Sequence, residues 1–293
     1  MHAYLIMAHN NFYTLEILLR MIDDSRNDIF VHVDKKVESF DYNYYHAIVK
    51  KSKIYFVKRI NVTWGEASQV ECEMILMKET CLHGDYEFVH LLSGSDLPLK
   101  PQEEIHSFFS EHKENIFLHT ATDKEVENEL WKLSEYHLEK KQKNRKIHYI
   151  WNSFFIIKFS HHNRMKKYKK IIVAKSANWF SMPGECVRFV VSKEKFIKKM
   201  TNHTVCGDEF FVATVLRNSH YWSNVYKYED VRGHMRYIDW ENGSGNSPKI
   251  LVVDDFDKLV QSGMFWARKF DENVDKEIIN KVFTHVMGKC EDV

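Results

Sequence analysis

The chain of 293 residues lacks most of the features that assign a protein quickly. Its five cysteines, Cys72, Cys81, Cys186, Cys206 and Cys290, are odd in number and show no paired short spacing. That argues against a disulfide framework and against a zinc cage, and it fits a reducing cytosol. A surplus of one charge is missing as well: 42 Lys and Arg face 41 Asp and Glu, a formal net charge of +1. The sequence therefore carries no polyelectrolyte signature for holding nucleic acid by counterion release. No stretch approaches the roughly 20 apolar residues needed to cross a bilayer. The short apolar run Ala3 to Ala8 has neither a positive flank nor a small-residue cleavage site, and its length suits a strand. A Walker phosphate loop, Gly-x-Gly-x-x-Gly and Gly-x-Ser-x-Gly are all absent, and no two histidines stand at the i, i+4 spacing of a helical zinc pair.

What is present is apolar and patterned. With 44% hydrophobic and 14% aromatic residues, the chain can bury a large core, and one compact unit over 1–293 is expected. Strand-length apolar runs lie at Ala3 to Ala8, Ile29 to Val33, Ile54 to Val57, Phe88 to Leu92 and Ile116 to His119. Between them, Thr14 to Ile22, Ala67 to Met77 and Pro101 to Phe109 carry helical spacing. Such alternation predicts an α/β fold with a Rossmann-like, mainly parallel sheet flanked by helices. Ligands of open α/β sheets sit beyond the carboxyl ends of strands. That rule singles out His9 and Asn10, Asp34 with Lys35 and Lys36, and Ser93 to Asp96. From 125 to 170 the composition turns basic and aromatic, which predicts a helical insertion. Two readings of it are open: a solvated excursion with basic faces, or a patch that docks peripherally on anionic lipid with Tyr149, Trp151, Phe154 and Phe155 dipping inward.

Several constellations could carry chemistry. Asp208 and Glu209 precede the apolar run Val212 to Leu216; acids there complement a helix dipole, and a carboxylate so placed could also take a proton from a sugar hydroxyl. Arg268 and Lys269 stand between aromatics, with Lys249 upstream. They are either surface charges or a clamp that neutralises a departing diphosphate. Asp255 and Asp257 have the letters of a metal site but sit where a helix begins, so capping is the reading adopted and no metal or other cofactor is assigned. Trp64, Trp179 and Trp240 stand beside small or polar residues. Core packing is the default for tryptophan, but an indole face also suits the C–H face of a pyranose, and Trp179 and Trp240 are the candidate acceptor platforms.

Taken in order, these strings resemble the core-2/I-branching β-1,6-N-acetylglucosaminyltransferase family, which includes the peptide O-xylosyltransferases. The resemblance runs over almost the whole chain: Ala3 to Asn10, Phe30 to Asp34, Val62 to Gly65, Leu91 to Leu99, Asn178 to Phe180, Gly207 to Glu209, Arg236 to Trp240 and Phe265 to Phe270. It implies a GT-A-like fold, a UDP-sugar donor, inversion at the anomeric carbon and no divalent metal. By similarity Glu209 is the general base, Lys269 the lysine on the donor diphosphate, Asp34 the acid near the uridine, and Trp240 an acceptor-side tryptophan. His9, Asn10 and Trp64 fall on the donor side with either Lys249 or Arg268 as second cation, and Asp96, Trp179 and Asp208 on the acceptor side. The implied sugar is GlcNAc, with xylose as the alternative, and the implied acceptor is a glycan hydroxyl. The lack of an anchor or disulfides suggests a bacterial, cytoplasmic relative that builds surface polysaccharide on a lipid-linked acceptor at the inner face of the membrane. Gly207 departs from the family's usual proline. The rivals are a binding protein on the same fold and a metal-dependent enzyme using Asp255 and Asp257.

Overall fold

The computed structural model describes residues 1–137, 164–227, 233–245 and 247–288. In the first half, strands and helices alternate: β1 (His2–Ala8), α1 (Phe12–Ile22), β2 (Asn27–Val33), α2 (Tyr42–Ile48), β3 (Lys53–Phe56), α3 (Ala67–His83) and β4 (Phe88–Ser93). There follow β5 (Leu97–Pro98), α4 (Gln102–Glu111), β6 (Phe117–Leu118), α5 (Asp123–Glu129), α6 (Trp131–Ser134) and β7 (Phe180–Pro183). Six strands form one sheet in the order β3-β2-β1-β4-β7-β6. The pairs β3-β2, β2-β1 and β1-β4 are parallel, whereas β7 runs antiparallel to β4 and to β6.

Side chains of a strand alternate between the two faces of its sheet. Along β1, Tyr4, Ile6 and Ala8 enter one apolar cluster, with Leu15, Leu18 and Ile22 of α1 and Ile278, Ile279 and Val282 of the helix Lys276–Met287. Ala3 and Leu5 enter the opposite cluster, with Val70, Leu76 and Met77 of α3. Both faces are buried, which is why this strand reads as a continuous apolar run. The expected mainly parallel α/β sheet is what the chain forms. Boundaries differ at several points. α1 starts at Phe12, α3 continues to His83, and Pro101 caps α4 from outside its first residue. Asp208 and Glu209 do not open an α-helix; they lie in a tight 3-10 turn, Gly207–Glu209, ahead of the helix Phe211–Arg217.

A second, three-stranded sheet has the order β5-β9-β8, with β8 at Arg236–Ile238 and β9 at Trp266–Arg268. Arg236 fastens β8 to the main sheet. Its guanidinium is buried and donates to the Leu91 carbonyl of β4 at 3.1 Å, to the Phe180 carbonyl of β7 at 2.7 Å and to Ser181 Oγ at 3.3 Å. It also lies 4.8 Å from the Trp266 ring centroid. Burial pulls its pKa down to about 9, so it is still a cation at neutral pH. Replacing it with methionine strands two buried carbonyls at about 1–3 kcal/mol each. Arg236→Met should therefore lose about 2–4 kcal/mol in urea denaturation; an unchanged midpoint would remove the cross-sheet fastening.

Candidate active site

The turn that carries Glu209 is held from three sides. Cys206, in the left-handed region at φ 50°, donates its N–H to the Gly65 carbonyl at 2.8 Å. The Glu209 carbonyl accepts from Ser176 N–H at 2.8 Å, and Val205 N–H donates to the Lys132 carbonyl at 3.1 Å. Gly207 is closely packed: a Cβ there would stand 3.0 Å from both Thr201 Cβ and Thr204 Oγ1, so these side chains would have to give way slightly. So anchored, Glu209 sends its carboxylate between two ammonium groups, Lys132 Nζ at 3.1 Å and Lys175 Nζ at 3.5 Å. Both lysines also reach Glu129, at 2.5 Å and 3.2 Å. Two cations and two anions make a neutral ring, half-shielded from water. Burial disfavours charge on Lys132, but its two carboxylates outweigh that and hold its pKa above the ordinary lysine value.

Beside this ring a cavity of about 600 Å³ is lined by Glu209, Lys175, His119, Tyr237, Asp239 and Trp240, among others. Trp240 is 57% exposed. Two more exposed indoles adjoin the same turn: Trp64 precedes Gly65, whose carbonyl holds Cys206, and Trp131 precedes Lys132. Asp208 points the other way and is buried. Burial, then the neighbouring Glu209, pushes its carboxyl up to about 7.

Around the ends of β1 and β2 a second group gathers. Asp34 accepts from Lys36 N–H at 2.8 Å and Val62 N–H at 3.3 Å, with Lys36 Nζ at 3.4 Å. His9 follows β1 and is exposed, as is Asn10. Partial burial, then the charge of Lys269, lowers the pKa of His9, and Asp34 acts on it in the opposite direction. His9, Asp34 and Lys269 thus share one electrostatic neighbourhood.

The structure changes the setting of five expected site residues. Lys249 is not a free second cation: its ammonium sits 2.6 Å from Asp255 Oδ1. Asp255 in turn accepts Val252 N–H at 3.0 Å, as a helix-capping acid does. Arg268 lies inside, its guanidinium carbon 3.9 Å from the Trp179 ring centroid and its Nε 3.6 Å from Asp96 Oδ1. Trp179 and Asp96 are therefore buried supports of Arg268 and offer no open platform to an acceptor. Asp208, likewise buried, cannot meet an acceptor directly.

Sequence reasoning missed Glu129, Lys132 and Lys175. The first two fall inside 125–170, read as an insertion, and their i, i+3 spacing was the available signal. That part of the stretch belongs to the site: Thr122 caps α5 in a capping box, and α5 and α6 deliver Glu129 and Lys132. Residues 138–163, with Tyr149, Trp151, Phe154 and Phe155, lie outside the described residues.

The model of the family described as Core-2/I-Branching enzyme matches residues 2–260. The chain belongs to the Core-2/I-Branching enzyme family. It is similar to xylosyltransferase 2 of Mus musculus, 23% identical over 98% of this chain and 34% of that protein. It is also similar to xylosyltransferase oxt of Drosophila pseudoobscura pseudoobscura, 24% identical over 89% of this chain and 30% of that protein. The chain spans about a third of the length of the curated relatives it matches. Among solved structures, mouse xyloside xylosyltransferase 1 in its apo form aligns at TM-score 0.40 and 10% identity, covering 91% of this chain and 97% of that one.

The ring around Glu209 makes a measurable prediction for this family member. Lys132→Met should cost about 1 kcal/mol, since it leaves Glu129 and Glu209 facing each other with one cation fewer. Adding Glu129→Gln should recover part of that loss. Strict additivity in the double-mutant cycle would show that the ring does not act as a unit.

Proposed function

We propose that this chain is an inverting glycosyltransferase that moves a sugar from a UDP-sugar to a glycan hydroxyl, with Glu209 as general base and without a metal. The observation that carries the reading is the placement of one ion-paired carboxylate, Glu209, on the wall of an open cavity shared with the exposed Trp240. A pyranose stacked on Trp240 brings a hydroxyl toward Glu209, which takes its proton as the oxygen attacks the anomeric carbon. The bond to the diphosphate breaks in the same step, so configuration inverts. The leaving diphosphate is already acidic and needs charge compensation rather than a proton donor. Lys269, in the neighbourhood of His9 and Asp34 beyond the strand ends, supplies it. Arg268 acts from beneath as a buried cation seated on Trp179 and Asp96.

Glu129 has a definite part in this scheme. Two ammonium groups with Glu209 alone would leave a net positive ring; the second carboxylate, Glu129, neutralises it by sharing both lysines. The relatives named as xylosyltransferases bring xylose forward beside GlcNAc as the donor sugar. A lipid-linked acceptor and contact with anionic membrane rest on the 149–155 aromatics, outside the described residues. No helix among the described residues is long and apolar enough to cross a membrane.

UDP release from a panel of UDP-sugars, measured in EDTA, tests the reading. Glu209→Gln should lower turnover about 100- to 10,000-fold while UDP affinity survives. Lys269→Ala should weaken UDP binding about tenfold, the loss of one good charge-assisted contact. Activity that appears only when manganese is restored would favour metal-dependent chemistry instead, and full turnover by Glu209→Gln would take the base role from this residue.

A further inference from the structure

Behind the Glu209 turn lies an arrangement with no role in the scheme so far. Glu73, on α3, is completely buried, and neither of its carboxyl oxygens has a hydrogen-bond partner among the described residues. Asn178 approaches it without forming a well-made hydrogen bond. Asp208 Oδ1 is buried and unpartnered too. Its other oxygen accepts from Gln69 Nε2 at 3.3 Å, and Gln69 also accepts the Gly65 N–H that begins the turn's support. Gln69 and Glu73 are one turn apart on the same face of α3. That face therefore presents an amide and an acid to the residue preceding the proposed base. An unpaired buried acid destabilises a fold, and a leucine of similar volume would serve packing better. Departures of this kind concentrate at functional sites.

We propose that Glu73 and Asp208 form a buried carboxyl pair that shares one proton behind Glu209, and that Glu73 is thereby a positioning residue for the base. The inference rests on the reading of Glu209 as that base. Two neighbouring buried carboxyls cannot both ionise, because each disfavours the other's charge. Asp208 is faced by Glu209 in its own turn, by Glu73 from α3, by Lys132 from α6 and by Lys175. The lysines make Asp208 the member that ionises, and Glu73, pushed well up by burial and then by Asp208, keeps the proton. The Cys206 thiol beside them stays neutral, raised to about 12 by burial first. An ionised Asp208 accepts more strongly from Gln69 Nε2, which steadies the turn that carries Glu209. The pair thus contributes most where Asp208 has lost its proton, above about pH 7.

Thermal melts from pH 5 to 8.5, combined with initial rates of UDP release, test this on the full chain with Glu73→Gln and Glu73→Leu. Native Asp208 titrates near 7 whereas the unfolded side chain titrates near 3.8. The contribution of this pair to the stability of the wild type is thus highest below about pH 4 and falls as pH rises toward 7, and Glu73 extends the fall upward. Both variants should melt about 4 °C or more above the wild type at pH 8, the gap closing toward pH 5. Glu73→Gln keeps an N–H donor for Asp208 and should hold turnover within about threefold. Glu73→Leu should lose about tenfold at saturating donor with its KM unchanged, its ascending pH limb displaced upward by about one unit. Melting below the wild type at pH 8 in both variants would make Glu73 an ordinary structural residue, and wild-type turnover in Glu73→Leu would deny it any part in positioning. Should the wild type release UDP from no donor, the transferase reading fails, and the carboxyl pair is decided by the melts alone.

Discussion

A single buried guanidinium ties the two sheets together, and the geometry of the site depends on it. Arg236 spans from β8 to the Leu91 carbonyl within β4 and the Phe180 carbonyl at the start of β7, and lies against Trp266. Arginine suits this place because its planar fork donates in several directions at once and keeps its charge under heavy desolvation. By fixing β8, it fixes Tyr237 and Trp240 just beyond, which form one wall of the cavity. The opposite wall is the 206–209 turn, held by Gly65, Ser176 and Lys132. Neither wall is a long regular element, so their separation is set by these few polar contacts.

The same economy appears in the charges. Glu129 with Lys132, Lys175 and Glu209 come from three separate stretches of chain, yet they close into a neutral ring. Arg268, Trp179 and Asp96 make a second, largely internal cluster, in which an indole face and a carboxylate share one cation. The proposed chemistry needs both: an ionised carboxylate open to the cavity and positive potential near the strand ends. Each is obtained by ion pairing that also excludes water, and in that setting electrostatic interactions are strong.

Much of this was legible from residues alone where local pattern decides. The runs Ala3 to Ala8, Ile29 to Val33 and Phe88 to Leu92 are apolar at nearly every position, His32 and His90 excepted, because both faces of a central parallel strand are covered, and they form β1, β2 and β4. Glu209, Trp240, Asp34, His9 and Lys269 were named from strand-end position and family likeness, and the fold sets them around the cavity and the strand ends. Trp179, Asp96 and Asp208 lie buried and Lys249 is ion-paired, which a charged or aromatic letter does not reveal. Arg268 is hidden by an indole some 90 positions away in sequence, and Lys249 is taken by Asp255 six positions on.

The sequence by itself determined the alternation of strands and helices, hence the mainly parallel sheet, through the 2.0 and 3.6 periodicities of its apolar residues; these are local properties that need no knowledge of distant chain. Its ordered motifs also carried the family. Only the tertiary structure decided which charges are free and which are spent on one another, that Asp208 faces inward while Glu209 faces the cavity, and that Glu73 lies buried behind them. The physical reason is that ion pairing and desolvation depend on distances between residues far apart in the chain, and spacing along the sequence does not encode those distances.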